Sequence, residues 1–402
     1  MPASIPALIT PRVLEWARTE SGYDPEPVAR RLHVRVEKLL AWEHGDSKPT
    51  LRQAQALAKF YHRPFGVFFL PQPPSLPPVA AEYRRLPGIA PGTESPELRL
   101  AIRMMSHRRD VALGLIGELG HLIAEFNFEA HPAEPTVSIG ARLRDALGVT
   151  GQEQLDWTDE WQAWRRWREA VERAGVLVFQ FPKVNLNQVR GVTLPLFPLP
   201  AIGINSKETS AAARSYTLIH ELLHLALARG HEEEVALRET RNEESWLKVE
   251  RFAEEVASAV LIPEDMLAEF LRRMSVPRDG WDVPLLRRMA YTFRVTPLAM
   301  ATRLRSEGAL TWNGYQRWKR DWEAYVATLK PRKGGFASPA EKTLSRSGRP
   351  FAQLVLEALD TNRITSVDAS RYLDLRFDHV EKLRQELIKG AATGHQGGNG
   401  ND

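Results

Sequence analysis

Apolar positions along this chain recur mostly at helical spacing, and at strand spacing in one short stretch. Val13, Leu14 and Ala17 predict a first helix. Val28, Ala29 and Leu32 predict a second, opened by the acidic turn Asp24-Pro25-Glu26. Val36, Leu39, Leu40 and Trp42 form a third that stops at Gly45, and Leu51, Ala54, Leu57, Ala58 and Tyr61 a fourth behind Pro49-Thr50. Ser95-Pro96-Glu97 caps a long helix expected to reach about Glu125, with Leu98, Ile102, Met105, Val111, Leu115 and Leu119 on its apolar side. Residues 135–149 predict a short helix ending at Gly148. Trp157, Trp161, Trp164 and Trp167 stripe a helix over 156–174, and the stripe is expected to face the core.

The pattern changes after Gly175. Val176 to Phe181, Arg190 to Leu194 and Pro200 to Asn205 predict three short strands. Helices follow over about 210–229 and 243–261, the second broken by Ile262-Pro263. At least three more fill 264–330, with Thr311, Trp312 and Trp318 expected to close the core. The basic, Gly/Ser/Pro-rich residues 330–348 predict a linker or a loop resting on the core, 349–389 predict further helices, and the Gly-rich tail is expected to be disordered. The fold class expected is α+β, mainly α. Its domains are an N-terminal helical bundle over 1–70, a Pro-rich linker and helical connector over 71–150, a mixed domain over 151–330, a C-terminal helical region over 331–390, and a tail over 391–402.

Short helices with tight turns suit a helix-turn-helix bundle at the N-terminus. The stretch VARRLHV…LLAWEHGDSKPTLRQAQALAKFY, with Trp42-Glu43-His44-Gly45 and Pro49-Thr50, resembles the Cro/phage-repressor (XRE) family. The resemblance implies a recognition helix from about Arg35 to Glu43, with Arg30, Arg31, Arg35, Lys38 and Lys48 as candidate DNA contacts. Residues 11–64 hold ten Lys/Arg against seven Asp/Glu, so the charge permits double-stranded DNA without requiring it. Such modules also bind protein partners. Near the C-terminus, DASRYLDLRFDHVEKL echoes VARRLHVRVEKL loosely enough to be read as helix-turn-helix-like and not as a repeat.

The chemistry concentrates at His220-Glu221-Leu222-Leu223-His224. Four residues apart on a helix, His220 and His224 project from one face and can grip one Zn²⁺. Glu221 is placed to act as general base on a water there. A buried helix with two core histidines would show the same five residues, so a third ligand decides. Glu250 and Glu254 share one face of the 243–261 helix, opposite Phe252, Val256, Ala259 and Val260, and small Ala253 and Ala257 let a second helix approach. Glu250 is therefore expected as third ligand, and Glu254 as an acceptor orienting a ligand histidine. Glu232, Glu233 and Glu234 read as a solvated acidic turn. Tyr216, Arg214 and His231 are candidate oxyanion or substrate contacts, with Arg214 expected to pair with an acid. The strand ending at Asn205 offers a place for a substrate backbone.

AIGIN…ARSYTLIHELLHLAL…VERFAEEVASAVLIP resembles the ImmA/IrrE metallo-endopeptidases over about residues 160–300. Arg214, His220, Glu221 and His224 stand at one family motif, and Glu250, Ala253, Ala257 and Leu261 to Pro263 at a second. Tyr216 replaces the usual Phe, and Glu254 the usual Asn or Asp. The resemblance implies a gluzincin-like zinc site with Glu250 as ligand and Glu221 as base. It also implies a protein substrate, a helix-turn-helix repressor or antitoxin whose cleavage derepresses genes. The alternative is a DNA-binding regulator whose zinc domain senses or stabilises and cuts nothing.

Composition narrows this only a little. The chain has 402 residues, no cysteine and a net charge of +4. Thiolate ligands and disulfides are excluded, so His and carboxylate must hold any metal, and a His₂Glu set accepts Mn²⁺ as well as Zn²⁺. No long apolar run predicts a membrane span or secretory leader, so a cytoplasmic protein is expected.

Overall fold

A computed structural model describes residues 5–75, 94–230, 243–274, 280–329 and 337–394. The described residues divide into two compact units, those up to 104 and those from 105 onward.

The first unit contains α1 (Pro11–Glu20), α2 (Pro25–Leu32), α3 (Val36–His44) and α4 (Leu51–Phe60), with a 3₁₀ turn at Phe65–Phe69. Val13, Leu14, Ala17, Val28, Leu39, Trp42, Leu57, Tyr61 and Phe68 form its core, which is the helical pattern of the sequence turned inward. His33, at φ 55°, ends α2 in the left-handed conformation, its N–H bonding to the carbonyls of Ala29 and Arg30. Arg35 holds the N-cap position of α3, so the helix begins at Val36, one residue after the expected start. Glu43 faces inward, paired with Arg18 at 2.9 Å on two contacts, while Arg18 also donates to the Tyr23 carbonyl. Thr50 and Gln53 form a reciprocal capping box at the start of α4. Thr50→Ala should destabilise this unit by about 1 kcal/mol. A denaturant titration followed by a probe in the unit, such as Trp42 fluorescence, checks this.

Helix α5 (Pro96–Leu119) begins as expected behind Ser95, whose hydroxyl accepts from the Leu98 N–H. It stops at Gly120 (φ 71°), short of Glu125. The second unit continues with α6 (Thr136–Leu147), α7 (Gly151–Asp156) and α8 (Glu160–Arg173). Of the tryptophan stripe, Trp157, Trp164 and Trp167 are buried, but Trp161 is 43 % exposed under the Arg214 guanidinium. Spacing of three turns the first ring off the buried face, so the stripe is only partly core.

Three strands follow: β1 (Leu177–Phe181), β2 (Gly191–Leu194) and β3 (Ala201–Asn205). Their order is β1-β3-β2, with β1 parallel and β2 antiparallel to β3. The strand ending at Asn205 is thus the central one and has no edge for a substrate, which corrects the expectation above. Asn205 instead ties the sheet to its loops. Its amide donates to the carbonyls of Val184 and Val189 and accepts from the Lys207 N–H.

Helices α9 (Ala211–Arg229) and α10 (Glu243–Leu261) pack on one another, with Ala253 and Ala257 fully buried. Then come α11 (Glu264–Arg273), α12 (Val283–Thr292), α13 (Pro297–Ser306) and α14 (Trp312–Thr328). Trp318 is buried as expected, whereas Trp312 is 57 % exposed and stacks on Tyr315 beside Arg305. Within 331–348, residues 339–347 are helical (α15, Pro339–Ser347), because Ser338-Pro339-Ala340-Glu341 is itself a capping box. Helices α16 (Arg349–Asp360), α17 (Ser366–Leu373) and α18 (Val380–Gly394) complete the chain, so helix persists four residues past Gly390. Helix α17 repeats the local geometry of α2: eight residues, closed by a left-handed residue, here Asp374 at φ 47°. No helix among the described residues is long and apolar enough to cross a membrane.

Candidate metal centre

Helix α9 carries the motif through the interior. Ser210 caps it by accepting from the Ala213 N–H. Leu218, Ile219, Leu222, Leu223 and Leu225 are fully buried, so the helix is apolar nearly all round and its polar side chains need internal partners. His224 is buried and His220 largely so.

Glu250, on α10, meets both. Its Oε2 lies 3.3 Å from His220 Nε2 and its Oε1 3.9 Å from His224 Nε2. The two Nε2 atoms are 3.1 Å apart. These three donors form a cluster able to hold a metal ion. Donors about 2.0–2.1 Å from one tetrahedral ion would stand about 3.3–3.4 Å from each other, so the cluster fits the group the donor set suggests. The four-residue step of α9 and the close approach permitted by Ala253 and Ala257 together produce it.

Glu221, the residue after His220, meets β2. Its Oε2 accepts a 2.6 Å hydrogen bond from the Thr193 hydroxyl, and both residues are buried. Nothing in the local sequence marks Thr193, which is 28 residues away. Only the pairing of β2 with β3 brings it there.

Tyr216 stands one turn before His220, with its ring nearly parallel to the imidazole at 6.4 Å. Its hydroxyl donates to the Glu254 carbonyl at 3.3 Å, and burial, with Glu254 close by, pushes its pKa well above the usual phenol range. Glu254 has an exposed side chain, yet the protein around its carboxyl raises its pKa against the opposing pull of Arg305 and Arg251. The charges acting on that carboxyl are Arg305, Arg251 and Glu255, and Tyr216 bonds to its backbone carbonyl. Arg214 donates to the carbonyls of Glu208 and Ser206 and to the Gln180 side chain. Burial lowers its pKa, and nearby Glu208 opposes that. The Glu208 carboxylate is taken by Arg190, so it acts on Arg214 only as a nearby charge, and the hydrogen bonds of Arg214 go to two backbone carbonyls and the Gln180 amide oxygen. It fastens the start of α9 to the loop after β3. His231 and Glu232, Glu233 and Glu234 lie outside the described residues.

In the first unit, Arg30, Arg31, Arg35, Lys38 and Lys48 are all exposed. They spread over the end of α2, the turn, α3 and the loop after it, and the Lys38 ammonium sits 5.9 Å over the Trp42 ring.

Three side chains that could hold a metal ion thus converge from two packed helices. Residues 171–305 match the family model Peptidase_M78, described as the IrrE N-terminal-like domain. The match runs from the end of α8 through β1–β3 and α9 into α13, so it includes His220, Glu221, His224 and Glu250. It supports a metallopeptidase role for this part of the chain. No curated protein matches the chain.

Proposed function

We propose that the second unit is a zinc-dependent endopeptidase with a protein substrate, and that the first unit brings it to DNA or to a partner. The observation that carries the reading is the convergence of His220, His224 and Glu250 from two helices, with buried Glu221 beside them. In this reading His220, His224 and Glu250 hold Zn²⁺, with Mn²⁺ also compatible. The ion would polarise a peptide carbonyl and lower the pKa of a coordinated water towards about 7. Glu221 takes the proton of the attacking water and returns it to the leaving amine. Tyr216, whose ring lies beside the His220 imidazole, is the hydroxyl donor this reading assigns to the carbonyl oxygen, in exchange for its bond to the Glu254 carbonyl.

The sheet supports a place for the peptide. The Asn205 N–H bonds to the Arg190 carbonyl at 2.8 Å, so 192:203 and 194:201 are the hydrogen-bonded pairs of that ladder. The N–H and C=O groups of Gly191 and Thr193 therefore point to the outer edge of β2. On β1, the Val178 carbonyl is taken by Arg168. An extended substrate adds to β2, with its scissile bond beside Glu221.

The substrate we favour is a helix-turn-helix repressor or antitoxin, whose removal derepresses genes. The exposed Arg30, Arg31, Arg35, Lys38 and Lys48 support contact with double-stranded DNA by the XRE-like module. Incubating the purified protein with such a repressor encoded beside its gene should give site-specific fragments. Treatment with 1,10-phenanthroline should stop the cleavage, and added Zn²⁺ should restart it. Cleavage that survives complete chelation would remove the metal from the reaction.

A further inference from the structure

Strand β2 lays one face against α9. Residues 191 and 193 share that face because side chains alternate along a strand. Their contacts converge on one group. The Thr193 hydroxyl lies 2.6 Å from Glu221 Oε2 and 3.1 Å from the Glu221 carbonyl oxygen. A hydroxyl has one hydrogen to give, and the shorter contact to the carboxylate takes it. At position 191, a Cβ would stand 2.6 Å from Glu221 Cγ, 2.7 Å from Glu221 Oε1 and 2.7 Å from Thr217 Cγ2. Gly191 has no positive φ, so the glycine is required by close approach and not by backbone conformation.

Glu221 is thus held at both oxygens' level by one strand. Thr193 fixes Oε2, Gly191 leaves room under Oε1, and the carboxylate loses its freedom to rotate about its last torsion. A glutamate left to sample that torsion would present its basic oxygen only part of the time.

We propose that Thr193 is a positioning residue for the general base: its hydroxyl fixes Glu221 Oε2 so that Oε1 faces the reacting water. This rests on the metallopeptidase reading of the same site. A structural role for Thr193, packing β2 on α9, is the competing account, and it makes no demand for a hydroxyl.

Acetohydroxamic acid probes this without a known substrate. It binds divalent ions in peptidase sites through two oxygens, and the proton it releases passes to the neighbouring glutamate oxygen. Binding to the Co²⁺-loaded full chain is read from the visible absorption band. Thr193→Val should keep the wild-type Co²⁺ stoichiometry, ligand-free spectrum and unfolding midpoint, yet bind acetohydroxamate about tenfold more weakly. Thr193→Ser, which restores the hydroxyl and removes only a methyl, should return to within about twofold of wild type. Glu221→Gln sets the size of a full loss. If Thr193→Val fails to fold, Thr193→Ala removes the same donor with less crowding and carries the test.

Wild-type affinity in Thr193→Val or Thr193→Ala, with Glu221→Gln weakened, would overturn the positioning role and leave the peptidase reading standing. Equal weakening in Thr193→Ser and Thr193→Val would also overturn it, since packing alone would then explain both. A wild-type protein that binds no Co²⁺, or a Glu221→Gln variant that binds acetohydroxamate normally, would remove the peptidase reading and this proposal with it.

Discussion

Glu250→Ala should leave the protein folded and nearly free of metal. Its carboxylate is the one donor of the cluster that comes from α10, at 3.3 and 3.9 Å from the two imidazoles. Without it, α9 offers only two imidazoles to the ion. Loss of an outer hydrogen-bonding partner costs ten- to a hundredfold in metal affinity, so loss of a direct donor should cost more than about 100-fold. The alanine is tolerable to the fold because the flanking face, Ala253 and Ala257 against α9, is already small and remains packed. Elemental analysis after dialysis against a weak chelator, beside circular dichroism of both proteins, gives the answer. Metal retained at the wild-type level would mean that another carboxylate closes the site, with Glu254 the first to examine.

The convergence of His220, His224 and Glu250 was legible in the sequence, because each contributing stretch is a local helical pattern. His220 and His224 are four apart, Glu250 stands on the polar side of an amphipathic helix, and the alanines near it announce close packing. The parts that failed depend on long-range order. Three strands were visible in the pattern, but their order was not. With β3 between β1 and β2, Asn205 lies on the central strand and Gly191 and Thr193 on an edge strand. The same pairing delivered Thr193 to Glu221. Arg214 was visible as a motif residue, yet its partners are carbonyls of Ser206 and Glu208, and backbone groups leave no mark in a sequence.

Other misses were of local origin. Trp161 and Trp312 are exposed while Trp164 and Trp167, and Trp318, on the same helices are buried, so each is a ring that its helix turns outward. Aromatic spacing gives a face but not its width. The helix at Pro339–Ser347 had its signal in plain view as Ser338-Pro339-Ala340-Glu341, overridden by the Gly and Lys around it. In the first unit, by contrast, Gly45, Pro49 and Thr50 mark their boundaries well. Glu43 lies within the helix taken for recognition, but it pairs inward with Arg18, so the basic side chains of α2 and α3 are the ones left facing solvent.

The two readings of the whole chain part at Glu221→Gln. The amide has the shape of the carboxylate and still offers an oxygen to the Thr193 hydroxyl, so β2 and α9 should stay packed. His220, His224 and Glu250 are untouched, so metal content should match wild type. The amide cannot take a proton at neutral pH, and peptide-bond cleavage should fall by about 10²–10⁴-fold. Expressed in cells in place of the wild type, the variant should fail to derepress the target genes while the XRE-like module keeps whatever DNA contact it makes. Metal content, in-vitro cleavage and transcript level together make the test. If cleavage disappears and induction disappears with it, the chain regulates by proteolysis. If Glu221→Gln still induces fully, the metal domain is a sensor or a structural element, and regulation runs through Arg30, Arg31, Arg35, Lys38 and Lys48 on the DNA-binding side.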